Sequence, residues 1–185
     1  MTQPTILFLD IDGVLTMMDC PDLPMERVGG IHCRPVPMAN ALLKAIQYEY
    51  MSLNIDPVWL TSWDKGAQIW NERAGTHHWT VAYHLTDKGK YEASAVFPDM
   101  TQEKTDKKLI AARYYLWRTY SDEKRVAWIE DGFAPETVAW ANERNNKIAE
   151  TILIDTTKEP IRSDLLSTYE DYEQAAKTFM GRYVL

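Results

Sequence analysis

Apolar residues along the chain follow two patterns, each typical of a different element. Continuous apolar runs of about four to eight residues are typical of strands that are buried on both faces of a sheet. Apolar residues that recur every three or four positions are typical of the packed face of a helix. The runs predict five strands, at residues 6–9, 57–62, 79–83, 125–132 and 151–155.

The helical pattern fills the intervals between these strands. Pro37 and Pro135 stand at predicted helix starts, where proline is tolerated, and Gly75 stands at a predicted helix end. Strands that alternate with helices imply right-handed crossovers and a parallel sheet. The predicted fold class is therefore α/β, a three-layer, doubly wound, Rossmann-like parallel five-stranded sheet in a single domain, residues 1–185. The predicted helices span residues 37–51, 64–74, 105–120, 135–145 and 163–179.

Residues 16–36 break both patterns. The segment is rich in Met, Pro, Gly and Asp, and its one candidate element is a short hairpin around Val28–His32. Long loops in compact domains tend to be functional. This loop follows the first strand, so we predict that it overhangs a site as a flap, with Arg27, His32 and Arg34 as candidate substrate contacts. A solvated surface loop is the alternative for each of these residues.

Composition narrows the class of protein. The chain has 185 residues, 45% of them apolar, which is enough to bury a sizeable core. No apolar run approaches the length of a membrane-spanning helix, and the N-terminus lacks the basic and apolar regions of a signal peptide. Cys20 and Cys33 are too few for a disulfide framework. We therefore expect a reduced, cytoplasmic protein without a membrane segment.

Charge and aromatic content set limits on binding partners. The formal net charge of −7 argues against broad, non-specific nucleic-acid binding, although a local basic groove remains compatible with it. The chain has seven Trp and ten Tyr, and we assign them mainly to core packing, Trp63 and Trp70 included. Stacking on nucleic-acid bases is the alternative. Neighbouring residues point to opposite faces of a strand, so His77 and His78 are assigned a structural role rather than a metal site.

Two carboxylates and a glycine follow the first strand. Asp10 and Asp12 are two positions apart, which puts both side chains on one side of an extended chain, at the edge where open α/β sheets bind ligands. Carboxylates that lie this close require a cation or a shared proton. A simple turn at Gly13 would need only one Asp. A calcium loop would need a further oxygen ligand where Val14 stands, so that interpretation fails.

Polar side chains also follow the second and fourth strands. Thr61 and Ser62 end the second predicted strand, and Glu130 and Asp131 end the fourth. In a parallel sheet these ends lie at one edge, beside Asp10. A helix N-terminus already carries positive partial charge, so basic residues there are favourable only if an anion lies nearby. Three lysines cluster at the start of one predicted helix: Lys104, Lys107 and Lys108.

The stretch Asp10-Ile11-Asp12-Gly13-Val14-Leu15 resembles the first motif of the haloacid dehalogenase (HAD) superfamily. Thr61, Lys104 and the Glu130–Asp131 pair resemble its three further motifs in their usual order, so that the resemblance covers almost the whole chain. The stretches at 59–63 and 128–131 look closest to the capless HAD domains named after "Swiss army knife" RNA-repair proteins.

This resemblance implies roles for individual residues. Asp10 would be the nucleophile, Asp12 the general acid and base, and Thr61 and Lys104 would stabilise the transferring phosphoryl group. Mg²⁺ would be held by Asp10, by the backbone carbonyl of Asp12, and by one or both residues of the acidic pair. The implied activity is that of a Mg²⁺-dependent phosphatase that forms an aspartyl-phosphate intermediate on nucleic-acid ends or nucleotides. A small-molecule nucleotidase, a phosphotransferase and a non-catalytic binding protein are the alternatives.

The chain departs from the family pattern in two places. The family's acidic pair is Asp-Asp, so the longer Glu130 leaves open whether Glu130 or Asp131 is the direct metal ligand. Lys104 is favoured as the third-motif lysine because it precedes the helix, and Lys108, nearer the fourth motif, is the alternative. The intervals between motifs are too short for a separate cap domain of about 80 residues. We therefore expect an open site for a phosphorylated small molecule or nucleic-acid end, and the sequence identifies no protein partner.

Overall fold

A parallel five-stranded sheet, as predicted, forms the centre of the α/β fold. The structure is a computed structural model, and it describes residues 3–76, 78–82, 92–93, 95–97, 106–158 and 168–185. The strand order is β5-β4-β1-β6-β7, and every pairing in this sheet is parallel. Its strands are β1 (Thr5–Leu9), β4 (Ile55–Trp59), β5 (Thr80–Val81), β6 (Val126–Glu130) and β7 (Thr151–Asp155). A separate antiparallel hairpin consists of β2 (Glu26–Val28) and β3 (Ile31–Cys33).

Helices connect the strands of the sheet, and local sequence signals mark several of their ends. Asp106 caps α3 by accepting a hydrogen bond from the backbone N–H of Lys108 at 2.9 Å. Thr168 and Asp171 form a capping box at the start of α5, and Gly75 ends α2 in the left-handed conformation. The helices are α1 (Ala39–Met51), a short 3₁₀ helix (Asp64–Gln68) that leads into α2 (Ile69–Ala74), α3 (Lys107–Arg118), α4 (Pro135–Lys147) and α5 (Tyr169–Tyr183).

Two hydrophobic cores lie on opposite faces of the sheet. Leu7 and Leu9 of β1 join the core that includes residues of α1, α2 and α5. Ile6 and Phe8 point the other way and pack in the core that includes α3. This alternation along one buried strand follows from the two-residue period of β structure. Helices therefore cover both faces, which confirms the three-layer arrangement.

The chain reverses its direction of travel across the sheet at β1. It moves first to β4 and β5 on one side and then crosses to β6 and β7 on the other. Open α/β sheets bind ligands outside the carboxyl ends of the strands at such a switch point. Asp10 is the residue that follows β1, so the fold places it there.

Some predicted boundaries were wrong. The second strand ends at Trp59 rather than Ser62, because the chain turns at Thr61, whose carbonyl accepts a hydrogen bond from Asp64 N–H at 3.2 Å. The third strand is only two residues long, and Tyr83 lies outside the described residues. The last helix continues to Tyr183, whereas its predicted start also lies outside the described residues. Within the described ranges, no helix is both long and apolar enough to cross a membrane.

Candidate active site

Asp10 and Glu130 lie on the same face of the sheet, at the ends of neighbouring strands. In the register of β1 and β6, Phe8 pairs with Trp128, and both rings pack in the core that includes α3. Two positions further along each strand, the alternation of side chains brings Asp10 and Glu130 to this same face. Both are buried, with 2% and 5% of their surface exposed. Trp128 Nε1 also donates a hydrogen bond to Glu130 Oε2 at 3.3 Å. Strand pairing thus puts two acidic side chains together in the protein interior.

Lys108 lies between these two carboxylates. It belongs to the first turn of α3, and its Nζ lies 2.8 Å from Asp10 Oδ2 and 2.5 Å from Glu130 Oε1. Burial by itself lowers the pKa of Lys108, but the charges and hydrogen bonds of Asp10 and Glu130 outweigh it and leave that pKa raised. The basic start of this helix predicted a nearby anion. At Lys108 that anion is the pair formed by Asp10 and Glu130.

Among the described residues, Lys108 brings one positive charge to a place where three carboxyl groups meet. Burial, and then the neighbouring charge of Asp10, raise the pKa of Glu130 to about 9, although Lys108 acts in the opposite direction. Asp131 adds a third carboxylate: one ligand oxygen each from Asp10, Glu130 and Asp131 all lie within 4.8 Å of one another. The charge at the end of β6 is thus suited to a further cation.

The donor set fits a hard divalent cation. Oδ1 of Asp10 is buried and has no hydrogen-bond partner among the described residues, a costly state that a bound ion would relieve. Mg²⁺ prefers carboxylate and carbonyl oxygens together with retained water. Glu130 and Asp131 would complete the site with Asp10. Glu130 would contribute an oxygen from the buried interior, and Asp131 would contribute one from the exposed rim. Asp131 is thus on the solvent side of the cluster, and Glu130 is on the side of Lys108.

Gly13 permits the close approach of Asp131. Its φ is +75°, and a Cβ built on it would lie 2.1 Å from Asp131 Oδ2. Thr156 fixes the same turn, because its hydroxyl donates to the carbonyl of Gly13 at 3.1 Å and its backbone N–H donates to the carbonyl of Glu130 at 2.8 Å. Sequence reasoning missed Thr156, although it directly follows the fifth strand, the kind of position that identified the other site residues.

The side chain of Asp12 is turned away from the acidic cluster. Its Oδ1 accepts a hydrogen bond from Thr16 Oγ1 at 3.1 Å. Its Oδ2 accepts from Trp63 Nε1 at 2.8 Å and from Ser62 Oγ at 3.4 Å. These contacts hold the carboxyl group of Asp12 outside the acidic cluster. Metal binding by the backbone carbonyl of Asp12 stays a prediction.

Thr61 lies between the end of β4 and the start of the 3₁₀ helix along the chain. It is fully buried, and its Oγ1 accepts a hydrogen bond from the backbone N–H of Trp63 at 3.4 Å. A hydroxyl that accepts such a bond can still donate its own proton to a ligand oxygen. Trp63 and Trp70 were both assigned to packing. Trp70 is fully buried as predicted, but Trp63 also binds Asp12, which the sequence pattern did not reveal.

The lysine and histidine predictions have different outcomes. Lys104 and His77 lie outside the described residues, so the predictions made for them remain predictions. Lys108, the alternative third-motif lysine, is the one that the structure brings to Asp10. His78 is exposed, and its backbone N–H donates to Thr76 Oγ1 at 3.2 Å.

The hairpin in segment 16–36 forms as predicted and is tied to α2. Arg73 of α2 forms an ion pair with Glu26 of β2. Gly29 at the hairpin turn packs so closely on Ile69 that a Cβ there would lie 2.6 Å from Ile69 Cγ2. Arg34 does not present a free cation, because its Nη1 donates to the carbonyl of Leu23 at 2.6 Å. The hairpin of this segment therefore packs against α2. Two of the candidate substrate contacts are exposed on it, Arg27 and His32.

Comparison of the chain with models of protein families, with curated proteins and with solved structures finds no match. The function is therefore inferred from the chemistry of the site alone.

Proposed function

We propose that this protein is a Mg²⁺-dependent phosphatase of the HAD type, a phosphoric monoester hydrolase that works through an aspartyl-phosphate intermediate. One observation carries the proposal. Asp10 is a buried carboxylate at the switch point of the sheet, beside two further carboxylates. Lys108 holds its Oδ2, and no described residue donates a hydrogen bond to its Oδ1. A buried carboxylate that a cation holds on one oxygen, beside further metal-binding carboxylates, is the arrangement that a nucleophilic Asp in phosphoryl transfer requires.

A divalent cation would make this carboxylate effective against a phosphate. Asp10, Glu130, Asp131 and the backbone carbonyl of Asp12 are the groups that would hold it. Bound there, Mg²⁺ would offset the repulsion between the nucleophile and the phosphoryl oxygens and would orient the substrate.

The first chemical step transfers the phosphoryl group to Asp10. A carboxylate oxygen of Asp10 attacks phosphorus, and the bond from phosphorus to the leaving oxygen breaks. The proton of the Asp12 carboxyl group passes to that leaving oxygen, which departs as an alcohol. Asp12 is suited to this role because its side chain is held apart from the acidic cluster by Thr16 and Trp63.

The second step restores the enzyme. The Asp12 carboxylate takes a proton from water as the water oxygen attacks phosphorus, and the bond between Asp10 and phosphorus breaks. Inorganic phosphate leaves, and both residues return to their starting states. Lys108 would stabilise negative charge throughout, and the hydroxyl of Thr61 would donate to a transferring oxygen.

The substrate class is proposed as a phosphorylated small molecule or the phosphorylated end of a nucleic acid. The hairpin of segment 16–36 packs on α2 and exposes Arg27 and His32, which we propose as contacts for the substrate's phosphate or base. Such a site would accept a long substrate without a closing domain.

The experiment that tests this function is phosphate release in the presence of Mg²⁺. Wild type and Asp10→Asn would be compared on 4-nitrophenyl phosphate, on 5′- and 3′-nucleotides, and on oligonucleotides with a 5′- or 3′-phosphate. Asp155→Asn is the matched control: Asp155 stands beside Glu130 in the register of β6 and β7, but its carboxylate pairs with Lys158 at 2.7 Å and is not part of the acidic cluster. We expect Asp10→Asn to lose at least about 1,000-fold in kcat and Asp155→Asn to retain activity.

The panel also separates the alternatives. A preference for oligonucleotide ends over mononucleotides would support the repair-like activity, and the reverse preference would support a nucleotidase. Phosphate release that does not depend on Asp10, or no release from any substrate, would contradict the proposed function and favour a binding role for the fold.

A further inference from the structure

We propose that Trp63 is a positioning residue. It holds Asp12, the general acid, in the orientation from which Asp12 protonates the leaving oxygen. This role rests on the phosphatase function proposed above. Trp63 Nε1 donates to Asp12 Oδ2 at 2.8 Å, the shortest of the three hydrogen bonds made to this carboxyl group. Trp63 therefore acts on the leaving oxygen indirectly, by holding the side chain of Asp12.

The indole ring is held from two sides. It packs edge-on against the buried Trp70, with the ring centroids 6.0 Å apart and the planes at 69°. The backbone N–H of Trp63 donates to the hydroxyl of Thr61 at 3.4 Å. Trp63 is thus a partly buried residue that packs against the core that includes α2, with its Nε1 donating to Asp12.

Together, the donors around Asp12 determine the plane of its carboxyl group. Thr16 holds Oδ1, and Trp63 and Ser62 hold Oδ2. A group bound through both oxygens loses the freedom to rotate about its last side-chain bond, and this restriction is the kind that accelerates proton transfer. Without the Trp63 contact, Oδ2 would keep only the long 3.4 Å bond from Ser62.

An indole N–H is suited to this purpose because it only donates. It has no lone pair to accept the proton of Asp12, and it does not ionise in the range where enzymes work. Trp63 therefore orients Oδ2 of Asp12 without competing for the proton that passes to the leaving oxygen as the bond from phosphorus breaks. An imidazole in place of the indole would compete for that proton.

Positioning of a general acid has a kinetic signature that mere packing lacks. A poor leaving group depends strongly on protonation, whereas a good leaving group departs almost without it. Loss of the Trp63 N–H should therefore reduce kcat/KM for phenyl phosphate more than kcat/KM for 4-nitrophenyl phosphate. A loss of packing would reduce both by the same factor.

Trp63→Phe is the variant that tests this, because it keeps an aromatic ring against Trp70 and removes the N–H together with part of the indole. Trp70→Phe is a matched control, since it removes the same atoms from a ring whose buried Nε1 has no hydrogen-bond partner among the described residues. We expect Trp63→Phe to lose about 10-fold more activity on phenyl phosphate than on 4-nitrophenyl phosphate. Trp70→Phe should lose the same factor on both substrates, and thermal melts would confirm that both variants fold.

A second measurement tests the contact without any turnover. The indole N–H signal of Trp63 in a ¹H–¹⁵N spectrum is identified by its disappearance in Trp63→Phe. In Asp12→Ala we expect that signal to move upfield, because its acceptor is gone, whereas the Trp70 signal stays in place. An unmoved Trp63 signal would overturn the inference.

The two proposals can fail separately. If wild type shows Asp10-dependent phosphate release but Trp63→Phe has the leaving-group dependence of wild type, the positioning role fails and the phosphatase stands. If wild type shows no Asp10-dependent release, the phosphatase fails, and the positioning role fails with it.

Discussion

The ammonium group of Lys108 lies 2.8 Å from Oδ2 of Asp10, so the first turn of α3 is joined directly to the end of β1. The start of this helix is itself fixed. Asp106 caps it through Oδ1 and accepts a hydrogen bond from Thr137 Oγ1 on its Oδ2 at 2.9 Å. The lysine is therefore presented to Asp10 by a helix end that α4 holds in place.

Replacement of Lys108 by Met should reduce both activity and stability. The change leaves Asp10 and Glu130 buried without the cation that faces them, and an unpaired buried charge is costly. We expect kcat to fall by about 100-fold or more and Tm to fall by several degrees. Lys107→Met is the control, since Lys107 is the adjacent, exposed residue of the same turn.

The same assay resolves the choice between the two candidate lysines. Lys104→Met would be measured beside Lys108→Met under identical conditions. A larger kcat loss in Lys104→Met, with Lys108→Met close to wild type, would restore Lys104 as the third-motif residue. The ion pair of Lys108 would then be structural.

Mg²⁺ should stabilise the folded protein through the acidic cluster. A ligand that binds only the native state at 100 times its Kd stabilises by about 2.7 kcal/mol, which raises Tm by about 5–10 °C in a chain of this size. We expect Glu130→Gln and Asp131→Asn to reduce this rise, with the larger loss at the direct ligand, and Asp155→Asn to keep it. EDTA should abolish phosphate release, and added Mg²⁺ should restore it. Full activity in EDTA would remove the metal from the mechanism.

Local sequence patterns were sufficient to predict the sheet and one part of the site. The apolar runs located all five strands, and the alternation rule explains why Asp10 and Glu130 share a face, since each lies two positions beyond an aromatic residue of the same core. Nothing more than strand pairing is needed to bring these two carboxylates together. This part of the geometry is therefore encoded in short stretches of sequence.

The contacts that the sequence did not reveal join distant loops. Trp63 and Asp12 are 51 positions apart, and Thr156 and Gly13 are 143 positions apart. Each depends on the direction in which a loop leaves the end of its strand, and no hydrophobic period describes that direction. The position of Lys108 has a similar cause, because only the rotation of α3 about its axis decides which residue of its first turn faces the sheet.

Asp56→Asn should stabilise the protein at neutral pH but not in acid. Burial raises the pKa of Asp56, and Lys124 only partly opposes this effect. The folded state thus binds the proton of Asp56 more tightly than the unfolded chain does. Binding of that proton therefore stabilises the folded protein fully at pH values below the ordinary Asp pKa. This contribution to the free energy of unfolding is lost as the pH rises through the raised pKa of folded Asp56. Asparagine removes the ionisation, so the variant should gain about 2 °C in Tm at neutral pH, a small effect because the residue is only partly buried.

Thermal melts of wild type and Asp56→Asn across pH check this prediction. The difference in Tm between the two proteins should shrink towards zero as the pH falls below the ordinary Asp pKa. Because both proteins carry the other titrating groups, those contributions cancel in the difference. A Tm difference that is independent of pH would mean that the amide acts through packing rather than through the charge.

Gly13→Ala should disable the metal site, whereas Gly75→Ala should not. Both glycines have a φ of +75°, so alanine pays a similar conformational cost of about 1–2 kcal/mol at either position. A Cβ on Gly75 meets nothing within 4 Å, but one on Gly13 would lie 2.5 Å from Cβ of Asp131. Rotation of the Asp131 carboxylate cannot relieve that overlap, and the backbone after β6 has to move. We therefore expect Gly75→Ala to lose a few degrees in Tm and keep its response to Mg²⁺, and Gly13→Ala to lose that response and at least about 10-fold in kcat. Equal Mg²⁺ responses in the two variants would show that Asp131 is not held by this contact.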